Sequence, residues 1–203
     1  MEESIVKEKM LAHGVGKIFL DARLSDFPIK LQTEIKNSLF LSGAVGVGKT
    51  HFLSAIMREY IIYPKQNREE PQLLPMKYIM KTVGRIHKRI PPRFISIFEL
   101  LYKLKNSFNN KEESHNLLVD IADTPILCLD DFGNVKITEW NRETLDFLFN
   151  QRYKNHKELR TYISSNWALN EISDNWGERI ASRIVGMCKN IRITGEDKRI
   201  LKK

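Results

Sequence analysis

The chain has 203 residues, 42% of them hydrophobic, with a net charge of +8 and two cysteines. That length suits one domain with a substantial core. No apolar run approaches the ~20 residues of a membrane span, Met1 to Lys9 lacks the apolar stretch of a secretory leader, and Cys128 and Cys188 match no metal-ligand spacing. Cys128 lies inside an apolar run and reads as a small core residue. These features predict a cytoplasmic, thiol-reduced protein with no membrane segment.

In chain order, residues 1–35 read as a lead-in that packs beside a nucleotide, with Gly14-x-Gly16 as a turn. Asn37 to Ser42 reads as a short buried strand. It enters Gly43-Ala44-Val45-Gly46-Val47-Gly48-Lys49-Thr50, which fits G-x-x-x-x-G-K-T. The glycines let consecutive backbone N–H groups turn toward a phosphate, and the helix that begins near Lys49 adds the positive end of its dipole. Lys49 is expected to reach the β- and γ-phosphates and the Thr50 hydroxyl to sit on Mg²⁺; His51 closes the stretch expected to hold ATP or ADP. Residues 51–57 continue as a helix with apolar positions 52, 53, 56 and 57.

The next segment, about 60–92, is a basic insertion rich in proline (Pro64, Pro71, Pro75, Pro91, Pro92). From Tyr60 to Arg93, eight bases (Lys65, Arg68, Lys77, Lys81, Arg85, Lys88, Arg89, Arg93) face two acids (Glu69, Glu70). Such an excess suits a polyanion, and Lys81, Arg85, Lys88 and Arg89 are the candidate DNA contacts; a solvated basic loop has the same composition. Ile79, Val83, Ile86 and Ile90 fit one face of a basic amphipathic helix over Met76 to Ile90, against which Gly84 speaks.

A strand over residues 93–97 and a helix from Phe98 to Phe108 follow, then a polar loop over 109–114 and a short helix from Leu117 to Ala122. Residues 125–129 form a continuous apolar run, as in a strand buried on both faces. It ends in Asp130-Asp131. Asp130 is expected in the Mg²⁺ shell, and Asp131 is expected to orient or activate the attacking water. A helix over 140–153 and a strand over 161–164 precede Ser165-Asn166. The Asn166 amide would reach the γ-phosphate or the attacking water; asparagine is equally an ordinary cap for a helix starting near Trp167. A helix over 176–187 carries Arg179 and Arg183 at i and i+4. Guanidinium groups there would stabilise charge on a transferring phosphoryl group, or form the solvated side of a helix with Ile180, Ile184 and Met187 inward. Strands alternating with helices mean an α/β fold, a three-layer parallel sheet flanked by helices.

Together these residues resemble the AAA+ ATPases of the DnaC/DnaI helicase-loader and IstB transposition-helper group, over roughly 18–58 and 93–199. The phosphate loop and Leu127-Cys128-Leu129-Asp130-Asp131-Phe132-Gly133 are similar to the two nucleotide motifs of that group, and residues 148–153 with 161–166 to its N-x-R-Y … T-S-N stretch. The resemblance implies a P-loop AAA+ domain over 36–203 with little or no C-terminal lid. It implies Asn166 as a sensor of the γ-phosphate and Arg183 as an arginine finger supplied to a neighbouring subunit, with Arg179 beside it and Arg152 a secondary candidate. It implies slow, Mg²⁺-dependent ATP hydrolysis stimulated by DNA or a partner. It further implies ATP-dependent homo-oligomers that bind single-stranded DNA and load a replicative helicase. The alternatives are a transposition helper on duplex DNA beside a transposase, a nucleotide-gated adaptor with little turnover, and a basic DNA-binding module with a vestigial ATP site. Departures from the group are the short lead-in and the long basic insertion. Gly195 to Arg199 resembles the final strand of the group, and a contact of Arg199 with nucleotide is left open.

Overall fold

The computed structural model describes residues 2–62, 80–83, 86–89, 91–107 and 111–198, with 80–83, 86–89 and 111 placed by their backbone. The chain opens with α1 (Glu3–Ala12), two 3-10 turns, the one-turn helix α2 (Ile29–Gln32) and a third 3-10 turn. Strand β1 (Leu39–Ser42) leads to α3 (Lys49–Ile62), and β2 (Met80–Val83) and β3 (Ile86–Arg89) follow. Then come β4 (Arg93–Ser96), α4 (Ile97–Asn106), α5 (Lys111–Ala122), β5 (Ile126–Phe132), α6 (Glu139–Lys154) and β6 (Arg160–Ser165). The described chain closes with α7 (Leu169–Trp176), α8 (Glu178–Met187) and β7 (Lys189–Arg192).

Five strands form one sheet in the order β4-β5-β6-β1-β7, and every neighbouring pair is parallel. Successive side chains of a strand point to opposite faces, so apolar runs feed two cores. Phe40, Leu127, Leu129 and Ile163 pack with α4, α5, α6, α7 and α8 on one face. Leu39, Leu41, Ile126, Cys128 and Tyr162 pack with α3 and the N-terminal segment on the other. This is the three-layer α/β architecture expected from the alternating pattern. Both cysteines are buried thiols.

The N-terminal segment is fastened to α3. The Arg58 side chain, 1% exposed, donates to both carboxylate oxygens of Glu3 and to the Leu20 carbonyl at 2.8 Å. The Arg58 guanidinium holds the Glu3 carboxyl below its usual range.

Four sequence expectations are corrected. Residues 80–83 and 86–89 are not helical: they pair antiparallel, Met80 opposite Arg89 and Val83 opposite Ile86. Two residues starting with Gly84 separate the strands, the spacing of a tight hairpin. Residues 111–114 belong to α5 rather than to a loop; Glu112 and Glu113 in its first turn complement the helix dipole. Trp176 ends α7 instead of starting the next helix, because Gly177 at φ 101° breaks the run. Residues 195–198, where the final strand was expected, are not a strand, and Arg199 lies outside the described residues; the last described strand is β7, paired with β1.

Candidate nucleotide site

β1 lies between β6 and β7, and the chain crosses over between them. In open parallel sheets such a crossover leaves a crevice at the C-terminal strand ends, where ligands bind. Residues 43–48 fill that crevice, and α3 begins at Lys49 directly behind them. The loop carbonyls take hydrogen bonds from the Lys49 ammonium, Gly43 at 2.8 Å and Ala44 at 2.7 Å. A third donation runs to Asn166 Oδ1 at 2.8 Å, which joins the loop to the tip of β6. Lys49 is 6% exposed, so it holds a charge inside the crevice.

The neighbouring strand β5 supplies the carboxylates. Thr50 Oγ1 donates to Asp130 Oδ1 at 3.1 Å, and the Ser164 hydroxyl donates to the same oxygen. Burial pushes the Asp130 carboxyl above its usual range and the adjacent Asp131 charge adds to this, while the Ser164 and Thr50 hydroxyls oppose it. A hydroxyl and a carboxylate at this spacing are hard oxygen donors that suit Mg²⁺. Asp131 is the one non-glycine residue with positive φ among the described residues, at 55°. It stands where the β5–β6 register slips between Leu129 and Phe132, and its N–H donates to Ser164 Oγ at 3.0 Å. Asp130 is buried, whereas Asp131 at this turn is half-exposed.

The sequence-derived candidates therefore divide. Lys49, Thr50, Asp130 and Asn166 come together by direct hydrogen bonds, and Asn166 does not cap a helix, since α7 is preceded by Ala168. His51 turns its ring to the N-terminal segment, with Nε2 at 2.7 Å from Asp26 Oδ2 and the ring packed beside Phe27. Arg179 and Arg183 point to α6: Arg179 Nε lies 3.1 Å from Asp146 Oδ1, and the Arg183 guanidinium sits 4.7 Å over the Tyr153 ring. Arg152 is a correction. It is fully buried, and its guanidinium is taken up by the Ala122, Thr124 and Arg160 carbonyls within the chain rather than held at the surface. Arg85 and Arg199 lie outside the described residues, and Lys81, Lys88 and Arg89 are placed by backbone in β2 and β3.

Ser164 is a site residue that sequence reasoning passed over. It links Asp130 to the Asp131 backbone, and its only signal was a place in the polar tip of β6. The Asp26 contact with His51 carried no signal, because it joins residues 25 positions apart across a surface.

No family model matches the chain. In sequence it is 30% identical over 166 residues to the uncharacterized protein YqaM of Bacillus subtilis (strain 168), covering 79% of this chain and 44% of YqaM. It is 28% identical over 176 residues to the replicative helicase loader DnaI of the same organism, covering 79% of this chain and 47% of DnaI. The chain thus spans about half the length of the curated relatives it matches. The crystal structure of the DnaC helicase loader shares the fold with TM-score 0.65 at 22% identity, over 88% of this chain and 100% of that one. AMPPCP-bound DnaA from Aquifex aeolicus does so with TM-score 0.61 at 18% identity, over 89% of this chain and 52% of that one.

Proposed function

We propose that this chain, similar in sequence to the helicase loader DnaI and in fold to the DnaC helicase loader, binds and hydrolyses ATP and works in DNA replication as a helicase loader. The observation that carries the reading is the convergence of Lys49, Thr50, Asp130 and Asn166 on one phosphate loop. The likeness to a named helicase loader and to an AMPPCP-bound neighbour supports the nucleotide and the process.

The residues divide the work. The N–H groups of residues 43–50 and the α3 dipole receive the β-phosphate. Lys49 exchanges its bonds to the Gly43 and Ala44 carbonyls for phosphate oxygens, which are the stronger acceptors for an ammonium. Thr50 and Asp130 would hold Mg²⁺, which would supply positive charge against the phosphates. Asp131, half-exposed at its turn, orients the water and accepts its proton. Asn166 senses the γ-phosphate through the amide that otherwise bonds Lys49. Arg183 leaves Tyr153 and completes the site of the next subunit, so that ATP favours self-association. Single-stranded DNA and a replicative helicase are the partners.

Steady-state hydrolysis measured without DNA, with single strands and with duplex tests the reading. Lys49→Ala should weaken nucleotide binding by more than about tenfold, the usual cost of removing one side of a buried charged contact. Arg183→Ala should keep binding and lose hydrolysis by about 10³-fold; full hydrolysis by that variant would sink the shared site. Stimulation by single strands supports the loader. Stimulation by duplex alone moves the assignment to a transposition helper, and no turnover under any condition moves it to an adaptor.

A further inference from the structure

The segment that follows β7 runs along the phosphate loop from one end to the other. Ile193 N–H donates to the Ser42 carbonyl at 2.7 Å, and a Cβ built on Gly43 would meet the Ile193 carbonyl oxygen at 2.2 Å. Further on, Lys198 N–H donates to the Gly46 carbonyl at 3.1 Å. Between these points the Asp197 carboxylate lies on Gly46: a Cβ there would be 1.9 Å from Oδ1 and 2.6 Å from Oδ2. The space that glycine leaves open above the loop is taken by a carboxylate. The Lys198 ammonium sits 5.3 Å from the centre of the Phe27 ring, on the N-terminal segment.

A loop of this kind is built to receive an anion, and an aspartate laid on it is an anion. The side chain takes room over Gly46 and sets a negative charge beside any phosphate that enters. We propose that residues 195–198 form a strap whose Asp197 carboxylate sits on the phosphate loop until nucleotide displaces it, so that nucleotide binding frees the segment after β7. The proposal rests on the nucleotide reading given above. It assigns the strap a definite consequence: the nucleotide state is transmitted to the C-terminal side of the sheet through release of the Lys198–Gly46 bond.

Affinity for a nonhydrolysable ATP analogue tests it in wild type, Asp197→Asn and Asp197→Ala, with Lys49→Ala as the blank. Removing the competing charge should tighten binding roughly fivefold, the scale of a partly exposed ionic contact. Amide hydrogen exchange at Lys198 should speed up when the analogue saturates wild type, while exchange in β1 and β5 stays slow. Unchanged or weaker binding by both Asp197 variants overturns the strap and makes Asp197 a brace for the loop. So does Lys198 protection that holds at saturation. Absence of binding by wild type and both Asp197 variants overturns the nucleotide reading itself, and the strap with it.

Discussion

Arg152 shows how much one residue can hold. It is wholly buried, and its guanidinium donates to Thr161 Oγ1 at 2.7 Å and to the carbonyls of Ala122 (3.0 Å), Thr124 (2.9 Å) and Arg160 (2.6 Å). Burial pulls its pKa down to about 10, so the charge persists at neutral pH. The Ala122 and Thr124 carbonyls lie at the C-terminal end of α5, the negative end of a helix dipole, where a cation is favoured. Arg152→Met should therefore destabilise the fold by about 3–5 kcal/mol, because buried carbonyls lose their donor. Arg152→Lys should recover only part, since an ammonium lacks the planar fork. Urea unfolding measures both, and a change under about 1 kcal/mol for the methionine variant would remove Arg152 from this role. The same residue shows the limit of reading by pattern. Its neighbours in sequence are compatible with a surface helix; its burial depends on carbonyls 28 and 30 positions earlier. The turn between β1 and α3 was legible because its glycines and Lys49-Thr50 are packed into eight consecutive residues, and the place of Asp130 because an apolar run leads into it within β5.

Among the elements, the turn after α1 does more than reverse the chain. Phe94 N–H donates to the His13 carbonyl at 2.8 Å, and His13 Nδ1 lies 3.0 Å from the Pro92 carbonyl, which can only accept. Gly14, at φ 97°, brings the backbone so close to β4 that a Cβ would sit 2.1 Å from the Phe94 oxygen. The turn thus joins the N-terminal segment to the edge strand of the sheet. Burial lowers the His13 pKa, helped by Arg93 and Lys9, and outweighs the Pro92 hydrogen bond that raises it. In the unfolded chain an ordinary histidine takes its proton near pH ~6.5. With the folded value below that, the unfolded state binds the proton first as pH falls, so stability drops below about pH 6.5. His13→Gln should shrink the loss of Tm between pH 7 and pH 5; an equal loss in both proteins would place the acid sensitivity elsewhere. Strands β1, β4, β5 and β6 were readable because apolar runs bounded by turns mark them; β7 was not, because Lys189–Arg192 is mostly polar and exposed and shows its place only by pairing with β1. The ribbon of β2 and β3 was not: with four residues in each strand, Ile79, Val83 and Ile86 satisfy a helical period about as well as a strand period. Pairing across Gly84 decides the matter, and pairing is a contact that periodicity does not contain.

Over the whole molecule, charge is the property that no single element explains. The net +8 is concentrated in the segment that ends at β4, the edge strand of a sheet whose two faces are both covered. The hairpin register puts Lys81 opposite Lys88, and it is the strand pair with Arg89 at its open end. Like charges at one register position disfavour a strand pair, so this ribbon gains from a polyanion that neutralises them. DNA phosphates are such a partner under the proposed function. Binding of a polyanion releases counterions, and its affinity falls with salt in proportion to the phosphates contacted. Replacing Lys81, Arg85, Lys88 and Arg89 by glutamine should therefore flatten the log–log salt dependence of single-strand binding by roughly 0.7 for each phosphate no longer neutralised. Affinity at low salt should fall most, while hydrolysis without DNA should stay as in wild type, because none of the four belongs to the phosphate loop or to the Asp130 cluster. A salt slope equal to that of wild type would turn the ribbon toward a protein partner and leave DNA binding to another face.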